Sequence, residues 1–121
     1  MTYWIKWASF LMFIGVILGA FGSHILKNRL SFYQMDIFHT AVFYHFLHAL
    51  GLFAVAWLAT QTQDAKVSWA GCFFLVGIVL FCGSLYILAV TEIKWFGIIT
   101  PIGGISFLIG WALLFFSKVG P

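Results

Sequence analysis

Four residues within one apolar stretch carry the side chains best suited to chemistry: His39, Tyr44, His45 and His48. On a helix each residue adds ~1.5 Å, so His45 and His48 fall roughly 13 to 18 Å beyond Asp36. That is near the middle of a hydrocarbon core ~30 Å thick. The two imidazoles are three residues apart and share a helix face. Ionisable groups at such depth are expensive, so they invite a functional reading. Imidazole can ligate a metal or haem, hydrogen-bond a quinone, or relay a proton. His45, His48 and Tyr44 are therefore the cofactor-binding candidates. A single haem fits poorly, because two ligands on one helix face cannot sit on opposite sides of it. A second axial ligand would have to be His24 or His39, both too shallow, or come from another subunit. With no carboxylate or thiolate at this depth, no metal-ligand set is assigned. The plainer reading is interhelical glue, in which neutral imidazoles bond hydroxyls or backbone carbonyls. Ser84 and Ser106 reach comparable depth, so a polar belt of His45, His48, Ser84 and Ser106 is expected.

A second group gathers at one membrane surface: His24, Asp36, His39, Glu92 and Lys94. A solvated rim with ion pairs is the plain reading. A docking patch or headgroup site is the sharper one. Nucleophilic triads, Cys/His metal spacings and nucleic-acid patches are absent from the sequence. The glycines of Gly19-x2-Gly22 and Gly103-Gly104 follow no strand and do not form dinucleotide loops.

These residues need elements to hold them, and the composition names the solvent. Of 121 residues, 64% are hydrophobic and only 7% are charged, and the mean hydropathy is +1.09. A water-soluble domain carries about a quarter charged residues. The chain reads as a single all-α transmembrane domain, 1–121, with spans at about 4–26, 36–60, 67–90 and 97–117. Short connections imply an integral membrane four-helix bundle with sequential antiparallel packing. Aromatics such as Tyr3, Trp4, Trp7, Trp69 and Trp95 suit interfacial belts.

Local signals mark the ends. Ser31 with Gln34 has the capping-box spacing, starting the second helix near Phe32 with Asp36 in its first turn. Asp64 is a cap for the third helix. Thr100-Pro101 offers a start for the fourth; alternatively that helix begins near Trp95 and contains Pro101. Gly15, Gly19 and Gly22 form one smooth face, and Ser106-x3-Gly110 another, both for close helix packing. Cys72 and Cys82 are too far apart along a helix for a disulfide. Lys6, an apolar run and Ala20-Phe21-Gly22 imitate a signal peptide, but the run is long and retention as a first helix is expected. Cations tie at three per side, Lys6, Lys66 and Lys118 against Lys27, Arg29 and Lys94; the clustering of Lys27 and Arg29 in one loop favours that loop in the cytoplasm and both termini outside.

Several segments together resemble a known family. They are Gly19-Ala20-Phe21-Gly22-Ser23-His24, Thr40-Ala41 with Tyr44-His45 and His48-Ala49-Leu50, Gly83-Ser84-Leu85-Tyr86, Thr100-Pro101-Ile102-Gly103-Gly104 and Gly110-Trp111. In this order they resemble the YgdD/YwdK-type small inner-membrane proteins, a domain of unknown function with a relative among animal mitochondrial membrane proteins. The resemblance implies four membrane helices in a bacterial inner (plasma) membrane, a retained first helix, and no settled activity. Where it leads one to expect a glutamate before Thr40-Ala41, this chain has His39.

The expectation for function is a non-enzymatic accessory, assembly or structural subunit without a cofactor. It would sit in the lipid bilayer beside other integral membrane proteins or copies of itself, with no nucleic acid. Alternatives are histidine-dependent binding of a metal, haem or quinone, and a small transporter or proton path built as a homo-oligomer.

Overall fold

The computed structural model describes residues 2–119. Four helices run antiparallel in chain order: α1 (Tyr3–Leu26), α2 (Phe32–Gln61), α3 (Ala65–Thr91) and α4 (Phe96–Phe116), each long and apolar enough to cross a membrane. This is the expected all-α bundle. α1 packs along α2, α2 against α3, and α3 against α4.

The boundaries follow from capping chemistry. Ser31 accepts from the Gln34 amide while the Gln34 side chain accepts from the Ser31 amide, a complete capping box. α2 consequently starts at Phe32, and Asp36 is its fifth residue, past the first turn where the sequence reading set it. Asp64 caps α3 by accepting the Lys66 amide at 3.0 Å. Its second carboxylate oxygen accepts the Lys118 amide at 2.7 Å, fastening the end of α4 to the α2–α3 turn. Glu92 closes α3 in the left-handed region, at φ 58°. α4 takes the second of its two expected starts: it begins at Phe96 and contains Pro101. Thr100 is therefore inside the helix and is not its cap.

Two stretches widen to π geometry, Ile17–Gly22 in α1 and Ile78–Cys82 in α3. Such turns displace the faces on either side of them. In α3 the displaced backbone of Phe81 lies against Gly103 of α4, so close that a Cβ on Gly103 would overlap the Phe81 amide nitrogen. The core includes Ala8, Ala41, Leu52, Val55, Phe74, Cys82 and Phe107, with Trp4 inserted over Gly71. α1 is the outlier, since only 6% of its most apolar stretch is buried against 44% for α2.

Candidate functional site

The centre of the bundle is organised by the two deep histidines of α2, both buried. His45 lies between two neighbours. Its Nε2 is 2.7 Å from the Leu11 carbonyl oxygen of α1, and its Nδ1 is 2.9 Å from the Tyr86 hydroxyl of α3. A carbonyl only accepts, so Nε2 carries the proton and Nδ1 accepts from Tyr86. Gly15 makes this reach possible, because a Cβ there would meet His45 Cδ2 at 3.3 Å and Phe46 Cε1 at 2.9 Å.

His48 takes the opposite tautomer. The Trp111 indole N–H of α4 donates to its Nε2 at 2.9 Å, and an indole can only donate. His48 Nδ1–H therefore donates to the Tyr44 carbonyl, one turn back, at 2.9 Å. The ring lies flat on Phe107, with centroids 3.5 Å apart and planes 8° apart. Phe74 meets it edge-on at 5.4 Å. Both nitrogens of both imidazoles are thus engaged within the protein.

The expected polar belt resolves into separate bonds rather than one connected ring. Ser84 Oγ is 2.6 Å from Thr100 Oγ1 and also donates to the Phe81 carbonyl. Ser106 Oγ donates to the Phe73 carbonyl at 2.7 Å. Each joins α3 to α4. Sequence reasoning missed Tyr86, Trp111 and Thr100 as the partners. Depth alone made each a candidate, since each bears a donor level with a histidine or serine on a neighbouring helix, but the choice among such donors turns on helix rotation.

Tyr44, the third cofactor candidate, is half-buried beside Phe81, with ring centroids 4.7 Å apart. Among the described residues its hydroxyl has no hydrogen-bond partner. It lines a hollow open to the lipid side between α2 and α4. Among the described residues, no three His, Cys, Asp or Glu side chains are grouped to hold a metal ion. Cys72 and Cys82 are free thiols, one exposed and one buried.

The packing residues named from sequence all face neighbours within the chain. Gly15 and Gly19 receive Phe46 and Val42, and Gly22 receives Phe38. A Cβ on Gly110 would stand 2.6 Å from Phe74 Cε1 and 3.3 Å from the Ala70 carbonyl. The surface group is looser. Glu92 and Lys94 line one hollow with Tyr33, Gln34, Ile37 and Leu88. His24, Asp36 and His39 are exposed outside it. Among the described residues no ion pair joins these five; the ion pair present is Lys66–Asp64, at 3.6 Å on the opposite surface.

Comparison with known proteins agrees with this architecture. Residues 18–104 match the family described as a protein of unknown function, DUF423. The chain is 47% identical over 107 residues to the UPF0382 membrane protein YwdK of Bacillus subtilis, covering 88% of this chain and 87% of that one. It is 47% identical over 96 residues to a UPF0382 membrane protein of Staphylococcus epidermidis, covering 79% and 78%. The UPF0382 inner membrane protein YgdD of Escherichia coli K12 is 36% identical over 107 residues, covering 88% and 82%. No solved structure matches. Four spanning helices together with these relatives make it a multi-pass protein of the bacterial inner membrane, and the chain belongs to the DUF423 family.

Proposed function

We propose that this protein is a non-enzymatic structural or accessory subunit, which associates through α1 with other integral membrane proteins or with further copies of itself. The supporting observation is the use made of the polar groups in mid-membrane. His45, His48, Ser84 and Ser106 direct their hydrogen bonds to helices of the same bundle. A general base needs a free lone pair within reach of its substrate. Here each imidazole lone pair already accepts from Tyr86 or Trp111. The outer face of α1 is the least covered of the four helices, with 6% of its most apolar stretch buried and Phe10, Phe13, Ile17 and Phe21 exposed.

Native mass spectrometry after gentle release from the membrane tests this reading. Recovery with other chains supports an accessory role, and recovery as a homo-oligomer supports self-association. Bulky polar substitutions at Phe13 and Phe21 should dissolve either assembly while leaving the helices intact. A strictly monomeric protein in its own lipids would sink the proposal. The histidine-dependent alternative requires a ligand to displace Tyr86 or Trp111. Metal or haem that co-purifies with wild type and is lost on His48→Phe would favour it.

A further inference from the structure

The hollow between α2 and α4 has a volume of about 440 Å³ and is lined by Tyr44, His48, Pro101, Gly104, Phe107 and Trp111, among others. Pockets for small ligands run from ~300 to 1,000 Å³. Its walls are aromatic: His48 and Phe107 are stacked 3.5 Å apart and almost wholly buried, so the ring surface open to the hollow is that of half-buried Tyr44 and exposed Trp111. Among the described residues, the side-chain polar group of this lining without a hydrogen-bond partner is the Tyr44 hydroxyl. Tyr44 lies ~18 Å along the helix from Phe32, inside the hydrocarbon region. At that depth acyl chains offer only C–H groups, and an unmet donor in hydrocarbon is costly. The hollow and the orphan donor together describe their complement: a lipid-soluble molecule with a flat ring and a carbonyl acceptor on its edge.

We propose that this hollow binds a lipid quinone, with the Tyr44 hydroxyl donating to a ring carbonyl. The ring lies against Tyr44 and Trp111, and the apolar tail leaves over the exposed side chains of Ile105 and Leu108. His48 is a wall and not a ligand, because Trp111 and the Tyr44 carbonyl already take its two nitrogens. The inference concerns binding alone and includes no electron transfer. It stands on the hollow and is independent of whether the protein is an accessory subunit.

The test is a titration of the full chain in phospholipid nanodiscs with decylubiquinone, read by quenching of tryptophan fluorescence. Trp111 at the wall makes the site visible. Free partitioning gives quenching that rises without saturation, whereas a site adds a saturable component. Tyr44→Phe removes one oxygen and should weaken that component about tenfold, the loss of one hydrogen bond in apolar surroundings. Because that oxygen has no hydrogen-bond partner among the described residues, the variant should unfold at the same denaturant concentration as wild type. Gly104→Leu should abolish the component by filling the space, since a Cβ there meets Phe81 only at ordinary contact distance, 3.8 Å. Absence of a saturable component in wild type overturns the proposal. So does a component that Tyr44→Phe leaves unchanged, whether or not Gly104→Leu folds.

Discussion

Trp111 of α4 donates its indole N–H to His48 Nε2 of α2 across 2.9 Å, and this bond ties two helices that are not consecutive in the chain. In water such a bond competes with solvent. In lipid the alternative is an unmet indole donor and an unmet imidazole acceptor. Measured coupling across membrane helices is nevertheless modest, averaging ~0.6 kcal/mol and reaching ~1.7. Stacking of His48 on Phe107 fixes the ring and puts this pair toward the upper part of that range. A double-mutant cycle with His48→Phe, Trp111→Phe and the double variant, measured by unfolding in bicelles, should give a coupling of about 1 kcal/mol. Strict additivity would show that the bond contributes nothing beyond packing.

The two histidines should differ in tautomer. His45 holds its proton on Nε2 because the Leu11 carbonyl faces that atom, and His48 on Nδ1 because Trp111 faces its Nε2. Nitrogen-15 spectra of histidine-labelled protein should therefore contain one neutral imidazole of each kind, apart from the exposed His24 and His39. Tyr86→Phe should move the His45 signals and leave those of His48 in place. Two deep histidines of the same tautomer would refute the assignment.

Glycine tolerance should split by position. A Cβ on Gly103 would run into the backbone of Phe81, which has no rotamer to escape into. Gly103→Ala must push α3 and α4 apart and should destabilise by about 3 kcal/mol, the upper end for overpacking. At Gly83 no neighbouring atom lies within 4 Å of a Cβ. Gly83→Ala should be neutral or stabilise by up to ~1 kcal/mol, the ordinary helix gain. Equal effects at the two positions would mean that the α3–α4 crossing is not as close as described.

What the sequence revealed and what it hid divide along physical lines. The apolar runs and the caps at Ser31 and Asp64 are local signals, so spans and helix starts were readable within a few residues. The depth of His45 and His48 followed from counting residues along one helix. Their partners did not. Whether Trp111 or Ser106 meets His48 depends on how far α4 is rotated about its axis. That rotation is set by the fit of Phe107 against Gly77 and of Phe81 against Gly103. The π turn at Ile78–Cys82 shifts the face of α3 between Phe74 and Tyr86, a displacement that regular 3.6-residue spacing does not anticipate. Every residue named for the polar belt lies in the interior, and each bonds a different partner.

Asp64 gives the surface counterpart of these buried bonds, and it titrates. The amide of Lys66, then that of Lys118, hold its carboxylate and lower its pKa below the ordinary value near ~3.9. The folded pKa is depressed, so the ionised group stabilises the fold above the unfolded-state pKa. The contribution fades as pH falls through the folded value. Asp64→Asn keeps one oxygen for the Lys66 amide but has no second acceptor for Lys118. The variant should therefore be less stable than wild type at pH 7, and the two should converge as pH is lowered from 5 toward 2. Because Thr62 Oγ1 also bonds the Lys118 carbonyl, the lost contact should loosen the end of α4 rather than unfold the bundle. Hydrogen exchange should rise at Lys118 in Asp64→Asn, with His45 and its neighbours unchanged. A stability gap that stays constant from pH 7 to pH 2 would show that the Asp64 carboxylate does not hold α4.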